Sequence, residues 1–293
     1  MAPVFTPFND DVNKTLNLKI IPQYAKFLES KNITGILVGG TTGEGLSLSI
    51  EERKQLVAAW ASAVKETKQH LMVHIGGLTF AGVKELTIFS ESLHVDSLLC
   101  LPDLFYKPTK IEELFDYFSS IGKLAPNTPL LYYQSSKVKI NIKADEFFKF
   151  SEDKIPTLVG VKLDSSDIKD GLQALTVSKR FTVIYGSKMI ILAGCAIEVN
   201  TFMSATMNFI PEYSIKLIKF CNEGSNFNEA RKNQNILNKI EKEILQYGGY
   251  IETMKTAMSL MTNLYMGPPR LPLKSLSQEN VDKMQKSLLT IKL

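Results

Sequence analysis

One lysine, Lys162, interrupts an otherwise apolar run at residues 158–163, which reads Leu-Val-Gly-Val-Lys-Leu. A buried ammonium must be paired with an acceptor or give up its proton, and a neutral amine is the form that attacks a ketone to make a Schiff base. Lys162 is therefore a candidate Schiff-base lysine. The alternative is a lysine at the end of a strand that points to solvent or pairs with a carboxylate such as Asp164.

Polar groups that could bind a small molecule also lie at the C-terminal ends of two other apolar runs. The turn at residues 39–45, Gly-Gly-Thr-Thr-Gly-Glu-Gly, offers backbone N–H groups and the hydroxyls of Thr41 and Thr42 to a carboxylate or phosphate. It lacks the Gly-Lys-Ser/Thr ending of a P-loop, so an ordinary turn between strand and helix fits equally well. The run at residues 129–133 ends in Tyr132 and Tyr133, of which alternation lets only one face the site, and packing is the alternative role for either.

These residues lie at the ends of separate apolar runs, so they can form one site only in a fold that brings the ends of several strands together. The spacing of the apolar runs predicts such a fold. Eight runs recur about every 25 to 35 residues, with helix-like spacing between them. After residue 207 the spacing predicts two or three helices, at residues 213–221, 228–245 and 250–264, and a last helix at 278–289. Such a pattern predicts an α/β fold, a TIM (β/α)8 barrel over residues 1–210 with a C-terminal helical layer at 211–293 packed on it as one structural unit. The predicted strands are residues 2–6, 35–38, 71–75, 97–101, 129–133, 158–163, 181–185 and 198–205.

Composition narrows the class of protein. The 293 residues are 44% hydrophobic and 22% charged, which is enough apolar sequence for a large core. A net charge of +4 is too small to indicate a nucleic-acid partner, and no apolar run reaches the roughly 18 residues of a membrane span. Three separated cysteines give no zinc motif and predict free thiols in a reducing, cytoplasmic setting.

The order of these motifs resembles a known family. Gly40-Thr41-Thr42-Gly43-Glu44, then Tyr133, then Gly160-Val161-Lys162 resembles the N-acetylneuraminate lyase and dihydrodipicolinate synthase family of class I aldolases, and residues 40–53 and 266–273 resemble its animal N-acetylneuraminate lyases in particular. The resemblance implies a TIM barrel, a homotetramer and a catalytic set of Lys162, Tyr133 and Thr42. Lys162 would form the Schiff base with a 2-keto acid, Tyr133 would move the proton of the aldol oxygen, and Thr41 and Thr42 would hold the carboxylate, with no metal or cofactor.

The chain departs from the family where the sugar tail would bind. Gly186 is followed by Ser187, Lys188 and Met189 instead of an acidic pair. A tail-contacting serine is replaced by Ala205, and a hydroxyl position two residues after the lysine is Asp164. Tyr133 is followed by Gln-Ser-Ser instead of an Ile-Pro, and the first strand is expected to be short. Gly186, Lys188, Asp164 and Ala205 are therefore expected to line an altered substrate site.

The favoured hypothesis is a pyruvate-dependent lyase that resembles N-acetylneuraminate lyase, with altered tail specificity. The alternatives are another aldolase of the family, acting on a 2-keto-3-deoxy sugar acid or a hydroxy-oxoglutarate, and a catalytically silent barrel that binds a keto acid. Dihydrodipicolinate synthase activity is disfavoured, because the arginine that grips its keto-acid partner has only Lys137 as a substitute here.

Overall fold

Strands and helices alternate along the chain in the computed structural model, which describes residues 1–165, 167–224 and 226–290, and of Lys188 only the backbone. The strands are β1 Ala2–Pro3, β2 Gly35–Val38, β3 His70–His74, β4 Ser97–Cys100, β5 Leu130–Gln134, β6 Leu158–Leu163, β7 Thr182–Tyr185 and β8 Thr201–Phe202. The α-helices are α1 Ile21–Ser30, α2 Ile50–Thr67, α3 Phe80–Ser92, α4 Ile111–Leu124, α5 Ala144–Ser151, α6 Ile168–Val177, α7 Ile191–Ala196, α8 Pro211–Asn222, α9 Phe227–Leu245, α10 Tyr250–Met261 and α11 Gln278–Thr290.

The chain divides into two compact units. The first unit is Met1–Gln69 with Ser204–Leu293, and the second unit is His70–Met203. The second unit contains β3 to β8, in which each strand pairs in parallel with the next along the chain. Its strands are almost wholly buried, which explains their near-continuous apolar sequences.

The first unit pairs β1 with β2 in parallel and carries the four helices that follow β8. Asn208 ties the segment after β8 back to β1, because its side-chain amide donates to the carbonyl of Pro3 at 2.9 Å and accepts from the hydroxyl of Tyr24 at 2.6 Å. Helix α2 begins at the predicted capping box, in which Ser49 and Glu52 bond each other's backbone N–H groups at 3.2 and 3.0 Å.

The structure confirms the alternation of strands and helices and all four helices after β8, but it corrects several bounds. The first and last strands have two residues each, where residues 2–6 and 198–205 were predicted. Residues 205–208 form a 3₁₀ helix, and α7 lies in a stretch for which no helix was predicted. The predicted boundary at residue 210 stays a prediction, and residues 291–293 of that layer lie outside the described residues. No helix in the described ranges is both long enough and apolar enough to cross a membrane.

Candidate active site

Lys162 lies in the interior of β6 with only 6% of its surface exposed. Its Nζ lies 3.6 Å from the ring centroid of Tyr133, over the face of the ring. No carboxylate among the described residues forms an ion pair with this amine, so the alternative in which Lys162 pairs with Asp164 is not what the structure contains. An aromatic face stabilises an ammonium without taking up its protons, as a carboxylate would.

Strand register brings Tyr133 to Lys162. Tyr133 is the partner of Lys162 in the β5–β6 pairing, so both side chains project from the same face of the sheet. Tyr132 projects from the other face, where its ring packs edge-on against Phe118 and Phe147, with centroids 5.4 and 5.5 Å away. Of the two tyrosines, Tyr133 is therefore the one beside the lysine.

Asp164 is the next residue in contact with Tyr133. Its Oδ2 accepts hydrogen bonds from the Tyr133 hydroxyl at 3.3 Å and from Ser135 Oγ at 3.0 Å. The His74 and Tyr133 rings pack in a T-shaped arrangement, with centroids 5.9 Å apart and an interplanar angle of 84°. The phenol of Tyr133 is thus held by a carboxylate at its oxygen, an amine on its face and an imidazole beside it.

Gly186 has no side chain, and this gives room for the amine of Lys162. A Cβ at this position would lie 2.9 Å from Lys162 Nζ, and the Gly186 N–H donates to the carbonyl of Leu163 at 2.7 Å. A larger residue would push against the amine, which explains why glycine suits this place. The side chain of Lys188, predicted to face the tail of a substrate, lies outside the described residues.

The predicted carboxylate loop belongs to the first unit. Thr42 is 5% exposed, whereas Thr41 is exposed, at the turn between β2 and α2. The Thr6 hydroxyl donates to the carbonyl of Gly43, and a Cβ on Gly45 would lie 1.9 Å from the carbonyl oxygen of Gly39. Only glycine permits this close approach of backbone to backbone, so position 45 of the loop requires glycine.

A buried ion pair anchors the same loop to the C-terminal helices. Glu44, at φ 51°, has its side chain 1% exposed, and its Oε1 lies 2.8 Å from the Nζ of Lys255 in α10. Its Oε2 accepts from the backbone N–H of Arg270 at 2.8 Å, and the Arg270 guanidinium bonds Glu52. Lys255 and Arg270 both lie over the ring of Phe8, at 4.3 and 4.5 Å. Glu44, two residues after Thr42, is therefore held by the Lys255 amine and the Arg270 backbone, which lie 211 and 226 residues further along the sequence.

Burial lowers the pKa of Lys255 to about 8, and the Glu44 carboxylate opposes that shift. The hydrogen bond from Arg270 lowers the pKa of Glu52. The pair of Glu44 with Lys255 is almost fully buried, whereas the pair of Glu52 with Arg270 is partly exposed.

The structure brings together four of the predicted site residues, all in the second unit: Lys162, Tyr133, Asp164 and Gly186. Thr41, Thr42 and Ala205 lie in the first unit, where Ala205 is 1% exposed in the 3₁₀ helix after β8. Sequence reasoning missed Ser135, His74 and Lys255 as neighbours of the candidate residues. Alternation along β5 could have indicated Ser135, which lies two residues after Tyr133 and so on the same side.

Comparison with known proteins gives consistent results over almost the whole chain. The Dihydrodipicolinate synthetase family model matches residues 1–291. The N-acetylneuraminate lyase of Gallus gallus is 31% identical over 296 residues, which cover 99% of this chain and 95% of that protein. The solved N-acetylneuraminate lyases of Proteus mirabilis and Aliivibrio salmonicida are each 28% identical with a TM-score of 0.92, and they cover 99% of this chain and 97% and 95% of theirs.

Fold and comparisons together define the class: this is a carbon–carbon lyase of the class I, pyruvate-dependent aldolase type, on a (β/α)8 barrel with a C-terminal helical extension. The chain belongs to the dihydrodipicolinate synthetase family and, within it, is similar to the N-acetylneuraminate lyases. The family resemblance, fold class and enzyme class predicted from the sequence are thereby confirmed.

Proposed function

We propose that this enzyme reversibly cleaves a 2-keto acid into pyruvate and an aldehyde through an imine at Lys162, with a tail specificity different from that of N-acetylneuraminate lyases. The observation that carries the proposal is the buried Lys162 amine, which lies on the Tyr133 ring with no carboxylate partner among the described residues. An amine without an ion pair has its lone pair available once the proton leaves, as nucleophilic attack on a ketone requires.

In the proposed cycle, Lys162 Nζ attacks the C2 carbonyl of the keto acid and water leaves, which gives a protonated imine. The imine withdraws the electron pair of the C3–C4 bond while the C4 hydroxyl gives its proton to the Tyr133 oxygen, which passes its own proton on, so that an aldehyde and an enamine form. The enamine takes a proton at C3, and hydrolysis releases pyruvate and free Lys162. The protonated imine is the electron sink, so these steps use no metal or diffusible cofactor.

We assign the binding of the substrate's carboxylate to the turn at residues 39–45, which belongs to the first unit. Thr42 would bind it through its hydroxyl and backbone N–H, and Thr41 through its hydroxyl, as the family resemblance implies. The close backbone packing at Gly45 and the Glu44–Lys255 pair support this role, because a carboxylate is bound well by donors that need no reorganisation.

The test is chemical trapping. Incubation with millimolar pyruvate and borohydride should add one reduced pyruvate unit to the peptide that contains Lys162, as measured by peptide mass spectrometry. Absence of an adduct on the wild-type protein would remove the aldolase mechanism and favour a barrel that binds a keto acid without reacting.

Tyr133→Phe and Tyr132→Phe form a matched pair for the proton step. Tyr133→Phe should keep imine trapping but lower kcat for cleavage by about 10²-fold or more, since it removes the proton-transferring hydroxyl. Tyr132→Phe removes a hydroxyl from the packed face and should leave kcat within a few-fold of wild type. Steady-state kinetics on both variants decide, and equal effects on kcat would contradict the assignment of Tyr133.

Tail recognition is expected to differ from that of sialic-acid lyases. Lys188 and Met189 stand where the family has an acidic pair, and the carboxylate of Asp164 is already bonded to Tyr133 and Ser135. A neutral polyhydroxyl tail loses acceptors, and each unpaired polar group reduces binding by about 1 to 3 kcal/mol. A tail with a carboxylate or phosphate gains a cation.

We therefore expect kcat/KM for N-acetylneuraminate to be at least about tenfold below that for shorter or anionic 2-keto acids. The comparison uses N-acetylneuraminate, a neutral 2-keto-3-deoxy sugar acid and its phosphorylated form, with pyruvate release coupled to lactate dehydrogenase. Preferred cleavage of N-acetylneuraminate would overturn this part of the proposal.

We also propose a homotetramer in the cytoplasm. Phe105 and Tyr106 are 84% and 81% exposed, and their rings pack against each other in a T-shaped arrangement. Such an exposed aromatic pair supports a contact with another subunit. The sequence has three cysteines, Cys100, Cys195 and Cys221, without a paired spacing, which supports a reducing compartment. Light scattering coupled to gel filtration measures the assembly directly.

A further inference from the structure

Asp164 makes contacts that a residue for the substrate's tail does not require. Its Oδ2 is the acceptor for both the Tyr133 hydroxyl, at 3.3 Å, and Ser135 Oγ, at 3.0 Å. Ser135 is 8% exposed and Tyr133 3% exposed, so the donors on this oxygen are held away from bulk water. An ionised carboxylate only accepts hydrogen bonds, so the phenol must be the donor.

The backbone fixes the carboxylate in this place. The Asp164 N–H donates to the carbonyl of Gln134 at 3.1 Å, which extends the β5–β6 pairing by one residue. The Asp164 carbonyl accepts from Ser136 Oγ at 3.3 Å, and Ser135 Oγ accepts from the Lys137 N–H at 3.3 Å. Both backbone groups of Asp164 and both hydroxyls after β5 are thus used to aim one carboxylate oxygen at Tyr133.

We propose that Asp164 is a positioning residue that accepts the Tyr133 proton during cleavage, with Ser135 orienting it. The inference rests on the proposed function, and it adds the group that accepts the proton of Tyr133. It replaces the expectation that Asp164 contacts the substrate's tail.

The protons and charges balance. As the C3–C4 bond breaks, the C4 hydroxyl gives its proton to Tyr133 Oη, and the proton of Tyr133 passes to Asp164 Oδ2. The electron pair of C3–C4 neutralises the imine nitrogen, so the imine loses its positive charge while Asp164 loses its negative charge. Asp164 later releases one proton as C3 of the enamine takes one up, so Asp164 ends the turnover as a carboxylate.

The surroundings of Tyr133 favour this transfer. Lys162 Nζ lies 3.6 Å above the ring, and as an imine it carries its positive charge there, which stabilises negative charge that develops on the phenol. His74, in β3, packs against the same ring in a T-shaped arrangement. These two groups and Asp164 are the titratable side chains that contact Tyr133 within the described part of the second unit.

The test compares Asp164→Asn, Asp164→Ala and Asp167→Asn in the full-length enzyme. Asparagine keeps an oxygen that can accept from Tyr133 but cannot take up a proton, so Asp164→Asn separates proton acceptance from simple orientation. Asp167 caps α6 by accepting from the Lys169 N–H at 2.9 Å, and asparagine caps equally well, which makes Asp167→Asn a matched control.

We expect both Asp164 variants to lower kcat by about 10²-fold, the lower end of general acid–base catalysis, and to lose the acidic limb of the pH profile of kcat. Pyruvate trapping at Lys162 and the unfolding midpoint should stay at wild-type values, which shows that the variants fold. Ser135→Ala should lower kcat by a smaller factor.

A wild-type kcat in Asp164→Asn would overturn the proposal, as would loss of trapping in that variant alone, because Asp164 would then act on imine formation. Failure of trapping in the wild-type protein would instead remove the proposed function itself, so the two failures are distinguishable.

Discussion

Replacement of Lys162 by alanine should lower cleavage of every 2-keto acid substrate by more than about 10³-fold and abolish the borohydride-trapped adduct, because it removes the amine that forms the imine. Lys162→Arg is the sharper variant. It keeps a cation on the Tyr133 ring, so it should preserve the packing, but a guanidinium stays protonated and cannot attack a ketone. Coupled pyruvate release and peptide mass spectrometry measure both effects.

Lys169→Ala is the control, since this lysine is exposed in α6, and its kinetics should match those of the wild type. Cleavage by Lys162→Arg at more than a few per cent of the wild-type rate would contradict the imine mechanism. An adduct that moves to another lysine in Lys162→Ala would show that the reacting amine was wrongly assigned.

Local signals in the sequence single out Lys162 and Tyr133 as candidates, and the family resemblance adds the catalytic roles, which stay predictions. A charged residue inside an apolar strand is anomalous by itself, and alternation puts Tyr132 and Tyr133 on opposite faces whatever the fold. The register between β5 and β6 is not local. It shifts between Leu130 and Leu131, and without that irregularity the residue opposite Tyr133 would not be Lys162.

The contact between Ser135 and Asp164 and the Glu44–Lys255 pair could not be predicted, because the partners in each meet only after folding. Asp164 and Ser135 are 29 residues apart, and their contact depends on how the chain leaves two neighbouring strands. Glu44 and Lys255 are 211 residues apart. A glutamate in a glycine-rich turn and a lysine on a helix are both ordinary surface patterns, and only the structure puts both in the interior.

That buried pair carries the second large expected effect, on stability. Lys255→Met leaves the Glu44 carboxylate buried without its cation, so the free energy of unfolding should fall by about 3 to 5 kcal/mol. Glu44→Gln combined with Lys255→Met removes both charges and should recover much of that loss. Lys26→Met, which breaks an exposed pair with Glu66, should change stability by no more than about 1 kcal/mol. Urea unfolding monitored by circular dichroism compares the variants.

The same pair should give stability a distinctive pH dependence. The folded-state pKa of Lys255 is lowered to about 8, whereas a lysine in the unfolded chain titrates near 10.4. Between these values the unfolded chain holds a proton that the folded protein has released, so the Lys255 contribution to the free energy of unfolding rises with pH. Relative to the double variant, which lacks the group, the wild type should therefore gain about 1.4 kcal/mol for each pH unit in this window. Parallel curves for the two proteins from pH 7 to pH 10 would contradict the lowered pKa, and a relative loss for the wild type would mean that the pairing with Glu44 outweighs the burial of the amine.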